Sequence, residues 1–158
     1  GSGERIPTLT EVFDAVDRRG VVNVELKGEH AAGPVAALIA GHVKHRGWEY
    51  ADFLVSAFDH AQLAEVKRLD PAIPIGALVE RAPRDIARMA DELGAWSIHP
   101  SRKCVTPKLV ETAHRHGLKV FVFTVNKPAD IARMKAMDVD GVFSDFPERV
   151  VASQTAPH

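Results

Sequence analysis

The chain has 158 residues, 46% apolar and 26% charged, with a formal charge of −1, the balance of one soluble globular domain. So small a charge gives no electrostatic handle for nucleic acid or an anionic membrane, and no apolar run reaches the roughly 18 residues of a membrane helix. The single cysteine, Cys104, excludes an internal disulfide, which is compatible with a reducing, cytoplasmic setting.

The chain opens on GSG, which reads as a cut end. TLTEVFDAVDRRG then predicts a helix with Thr8 as N-cap, Glu11 completing a capping box and Gly20 as stop. VVNVELKG, residues 21–28, predicts a strand. Successive strand side chains face opposite ways, so Asn23, Glu25 and Lys27 share one face, opposite Val22, Val24 and Leu26. That polar line reads either as a solvated face or as a face turned into a site. GPVAALIAGHVKHRG is a helix ending near Gly47. DFLVSAF is a strand and DHAQLAEVKRLDP a helix closed by Pro71. IPIGALVE is a strand and PRDIARMADELG a helix stopped by Gly94. AWSIHP is a strand. TPKLVETAHRHG is a helix with Thr106 as cap and Gly117 as stop. LKVFVFTVN is a strand, PADIARMKAMDV a helix and GVFSDFP the last strand. Residues 151–158, VASQTAPH, read as a frayed polar tail after a domain over 1–150.

Six short, mostly apolar strands alternate with helices, the pattern of parallel strands covered by helices. PRDIARM at 83–89 and PADIARM at 128–134 repeat one motif two units apart, as two helix starts answering one packing problem. Two architectures fit: a doubly wound open sheet, and a (β/α)₈ barrel, which needs eight strands and about 250 residues. No glycine-rich phosphate loop follows any strand.

Parallel sheets bind ligands at the C-terminal strand ends. The residues there are Glu25 and Lys27, Ser56 and Phe58, Glu80 and Arg81, His99, Thr124 and Asn126, then Ser144 and Asp145. The adjoining loops add Arg84, Arg102, Lys103 and Lys127. So many cations suit an anionic substrate, most simply a phosphate, although loops are polar in any case. Glu25 either pairs with Lys27 or holds a hard cation such as magnesium or calcium while Lys27 reaches a phosphate. His42, His45, His114 and His116 sit on helices in no zinc-ligand pattern, and His99 is the one at a strand end. Trp96 is expected in the core or against a helix, and Cys104 as a bystander.

GERIPTLTEVFDAV, VNVELKG, LVSAFD, SIHP, VFVFTVN and DGVFSDFPE run in this order over residues 3–149. Together they resemble the glycerophosphodiester phosphodiesterase family. The resemblance implies a TIM-type (β/α) barrel, of which this chain holds about six βα units, strands three to eight. It implies metal-dependent hydrolysis of glycerophosphodiesters to glycerol 3-phosphate and an alcohol. It makes Glu25 a ligand of a divalent cation, magnesium or calcium, and sets Lys27 against substrate phosphate. Phe58, His99, Phe123 and Asn126 join Lys27 as substrate-binding residues. The family's two catalytic histidines and further metal carboxylates precede the Glu-x-Lys strand and have no counterpart here. HRG at 45–47 closes a helix and follows no strand, and Phe123 stands where the family often has tryptophan. The expectation is that a missing N-terminal segment, a second chain or a second copy completes the barrel. The alternative is a half-barrel that binds a phosphate ligand without turnover or self-associates.

Overall fold

The computed structural model describes residue 3 and residues 5–155, of the last two the backbone alone. Its contacts group into two compact units, residues 1–74 and 75–158.

In the first unit, helix α1 (Leu9–Val16) opens on the expected capping box: Glu11 N donates to Thr8 Oγ1, and Thr8 N to Glu11 Oε2 at 2.8 Å. It stops before Gly20, because Asp17 already turns left-handed, at φ 46°, to cap it, a conformation aspartate tolerates. Strand β1 (Val22–Glu25) pairs in parallel with β2 (Phe53–Ala57), with Asn23 opposite Leu54 and Glu25 opposite Ser56. Helix α2 (Ala32–His45) connects them and buries Ala32, Ala36, Ile39 and His42, one helical face. As expected, HRG closes this helix; Gly47 turns at φ 69°, which its missing Cβ allows. Phe13 is fully buried, with the rings of His42 and Phe53 each 4.9 Å away. Helix α3 (His60–Leu69), capped by Asp59, adds Leu63 and Val66 to the buried residues.

The second unit repeats strand and helix. Its elements are β3 (Ile75–Val79), α4 (Ile86–Leu93), β4 (Ser97–Pro100), α5 (Pro107–Arg115), β5 (Lys119–Val122), α6 (Pro128–Ala136), β6 (Gly141–Val142) and α7 (Pro147–Thr155). Each strand pairs in parallel with its neighbour in sequence, as successive βα units require. Ile98, Val120 and Val122 join Ile86, Leu109, Val110, Ala113, Ile131 and Met134 in one core. The opposite sheet face carries Gly76, Ser97, His99, Phe121 and Gly141. A Cβ on Gly76 would lie 2.4 Å from His99 Nε2, and one on Gly141 2.9 Å from Phe121, so both positions need glycine. At the other end of β5, Asp140 accepts from Lys119 Nζ, Val120 N and His114 Nε2, each at 2.8 Å. Burial raises its carboxyl, but these three donors outweigh burial and hold it below the ordinary value.

Several expectations are corrected here. β1 ends at Glu25, so Lys27 lies beyond the strand, while Leu26 N still donates to Ser56 O at 2.8 Å. β5 and β6 are shorter than expected because Val125, Asn126 and the 143–146 segment turn to bond one another. Trp96 is neither core nor helix-facing: it is 45% exposed and tilts against Phe121 at 5.8 Å. Residues 151–155, expected as tail, continue α7; 156–158 lie outside the described residues. PRDIARM and PADIARM start their helices three positions apart. Asp85 accepts from Arg88 N at 3.0 Å and caps α4, so that helix begins at Ile86. Pro128 takes the first position of α6, leaving Asp130 inside the first turn.

Candidate active-site residues at the strand ends

In the first unit, Glu25, Lys27 and Phe58 line one cavity of about 420 Å³ together with Leu26, Glu29, Asp59 and Gln62. β1 delivers Glu25 at its last position. The 58–59 segment brings Phe58 in before Asp59 caps α3. Lys27 Nζ stands 3.5 Å from Glu25 Oε2, with the lysine side chain 77% exposed and the carboxylate 33%. Coulomb attraction this open to water is weak, so the ammonium keeps donors for a ligand. Phe58 is 47% exposed, a ring presented at the surface. Gln62 and Glu29 reach this space without a strand-end signal in the sequence; Gln62 lies on a helix and Glu29 in a loop.

Glu25 alone does not make a metal centre. Among the described residues no three His, Cys, Asp or Glu side chains gather as a metal site. Ser56, beside Glu25 in register, offers one buried hydroxyl. Magnesium or calcium takes six or more oxygens. The residues described here therefore do not fit a divalent cation by themselves.

In the second unit, His99 has no exposed surface. Its Nε2 lies 2.9 Å from Ser97 Oγ, its Nδ1 has no partner among the described residues, and the Phe121 and Phe143 rings pack at 5.6 and 5.1 Å. Burial pushes its pKa down to about 4, so the imidazole is neutral near pH 7. Asn126 is engaged by its own chain. Its Oδ1 accepts from Asp145 N at 3.0 Å and Ser144 Oγ at 3.2 Å, and its Nδ2 donates to Asp145 Oδ2 at 2.7 Å. Arg149 Nη1 donates to Asn126 O at 2.9 Å and stacks on the Phe146 ring at 3.8 Å. Asn126 therefore ties its turn to the 144–146 loop. Phe123, half-buried, accepts from Arg102 N through its carbonyl at 2.7 Å. The cationic loops are partly spent on ion pairs: Arg102 stands 3.7 Å from Asp130. Burial raises the Cys104 thiol, as suits an inert one.

Residues 2–149 match the model of the glycerophosphoryl diester phosphodiesterase family. A glycerophosphodiester phosphodiesterase of Caldanaerobacter subterraneus is 34% identical over 152 residues, 95% of this chain and 62% of that protein. One of Bacillus altitudinis is 32% identical, over 92% of this chain and 61% of its own length. A solved Oleispira antarctica phosphodiesterase, in complex with the product sn-glycerol-3-phosphate, superposes with a TM-score of 0.83 at 26% identity. That match covers 96% of this chain and 62% of the other. The chain thus spans about three fifths of the relatives it matches.

Proposed function

This chain belongs to the glycerophosphoryl diester phosphodiesterase family, and on that premise we propose that it carries the substrate-binding part of a hydrolase that cleaves glycerophosphodiesters to glycerol 3-phosphate and an alcohol. The observation that carries this reading is the 420 Å³ cavity where carboxylate, ammonium and aromatic ring meet. Lys27 is a compact cation with three donors. It takes a phosphoryl oxygen and offsets charge that builds there during cleavage. Phe58 covers an apolar part of the substrate. In the second unit, Asn126, through the Ser144 and Asp145 loop it holds, and Phe123 are the substrate-binding candidates, while His99, with no exposed surface, lies in the core. Glu25 is one ligand of a divalent cation, magnesium or calcium, whose other ligands lie outside the described residues.

The remaining length of the relatives is the natural source of those ligands and of the two histidines that move protons to and from oxygen. A further segment or a second chain supplies them. The six strands described here are then strands three to eight of a TIM-type barrel.

The test is release of glycerol 3-phosphate from a panel of glycerophosphodiesters by a form extended to the relatives' length, with magnesium or calcium. No release from any member of the panel overturns the proposal. Lys27→Ala should cost roughly 10–100-fold in kcat/KM, the worth of a hydrogen bond to a charged group. Glu25→Ala should move the metal titration roughly 10-fold or more to higher concentration; an unmoved titration removes Glu25 from the ligand set.

A further inference from the structure

Arg81 and Arg84 differ from the other arginines of the chain. Among the described residues, each of the others meets a carboxylate, a carbonyl or a hydroxyl, while these two make no such contact. Arg84 lines a cavity of about 360 Å³ in the second unit, where the segment leading into α4 runs beside one face of α5. Lys108 and His116 line it as well, and neither side chain has a partner among the described residues. None of the residues assigned to the phosphodiester substrate borders this space.

The lining is rich in donors. Thr106 Oγ1 accepts from Leu109 N, and Thr112 Oγ1 from Arg115 Nη2, each at 3.2 Å. Each hydroxyl therefore keeps its own hydrogen for an acceptor. A guanidinium offers five N–H groups, an ammonium three and an imidazole at least one. Asp85 stands on the same lining, but its Oδ1 is engaged by Arg88 N at 3.0 Å as the cap of α4. Two cations thus face one carboxylate, and what the set lacks is an anion. An arginine fork beside a lysine suits a phosphate, which only accepts. The cavity also has an apolar wall, made by Pro83 and the buried core residues Ile86 and Leu109. Its volume lies at the small end of ligand cavities. Lys108 and His116 stand about 12 Å apart along the α5 axis, so a bare phosphate fills only one end.

We propose that this cavity binds a phosphate ester with a compact apolar body, its phosphate on Arg84 and Lys108 and its body on Ile86 and Leu109. It is a second anion site, and it does not depend on the role given to Lys27.

Amide NMR titration of the 158-residue chain tests it with three probes. Phenyl phosphate joins the two parts; inorganic phosphate and phenol hold one each. Phenyl phosphate should shift the amides of Arg84, Ala87, Lys108 and Thr112 saturably, with an affinity roughly 10-fold above that of either part. Arg84→Gln and Lys108→Gln should each weaken that affinity roughly 10-fold, the worth of a hydrogen bond from a charged group. Lys44→Gln, which removes an exposed cation of the first unit, should leave it unchanged. An equal loss in Lys44→Gln would make general charge attraction the cause and overturn the proposal. Equal affinity for inorganic phosphate would overturn it too, because the apolar wall then contributes nothing. Shifts confined to Glu25, Lys27 and Phe58 would place the phosphate in the first unit's cavity alone, which overturns this site and leaves the proposed function standing. The absence of any saturable shift at Arg84 and Lys108 overturns it outright.

Discussion

His99 shows how one position can be read in two ways. A histidine at a strand end is a natural ligand group, and nothing in SIHP distinguishes a ligand from a core residue. The fold buries it completely, between Ser97, two phenylalanine rings and a glycine that leaves it room. Its pKa of about 4, against an ordinary 6.5, makes it a weak point in acid. Between these two values the unfolded chain binds a proton that the folded chain refuses, so stability falls as pH drops through this window. The loss by pH 4 should be about 3 kcal/mol from this group. Denaturant midpoints at pH 7 and pH 4.5 check it: His99→Gln should be less stable at pH 7 but lose less on acidification. An equal acid loss in both proteins would remove His99 as the cause.

The two copies of the DIARM motif show where local sequence stops deciding. Each places an isoleucine in the core, Ile86 at 7% and Ile131 at 4% exposure, and periodicity is enough to expect that. The start of each helix is settled by a different competition. Asp85 caps, while Asp130 sits one turn in, 3.7 Å from both Arg102 and Arg133. Asp85→Ala should therefore cost about 1 kcal/mol, the usual worth of an N-cap. Asp130→Ala should cost less, about 0.3–1 kcal/mol, from lost helix-dipole and open ion-pair terms. Urea denaturation of the two variants checks the order, and a reversed order would show that the motif is used alike in both places. β5 and β6 make the same point for strands. Alternation in LKVFVFTVN continues to Asn126, yet the ladder shortens because Asn126 bonds to the 144–145 loop.

The chain as a whole belongs to the family, but spans 62% of a curated relative from Caldanaerobacter subterraneus. Under the proposed function, the 158-residue chain should bind glycerol 3-phosphate without turning over a glycerophosphodiester. A form extended to the relatives' length should release glycerol 3-phosphate. A coupled assay on both forms checks this; turnover by the shorter form would show that its own residues suffice for the acid–base steps.

The alternation of strands and helices, the capping box at Thr8, the cap at Thr106 and the family were legible in the residues alone. These depend on neighbours within a few positions, or on motifs kept in order along the chain. Glu25, Lys27 and Phe58 could be named in advance because strand ends are where a parallel sheet presents side chains. Gln62 could not, because its place in that cavity depends on how α3 packs. Nor could the engagement of Asn126, the burial of His99 or the exposure of Trp96. Each of those turns on which group lies across from it in space, and that was decided only when distant strands came into register.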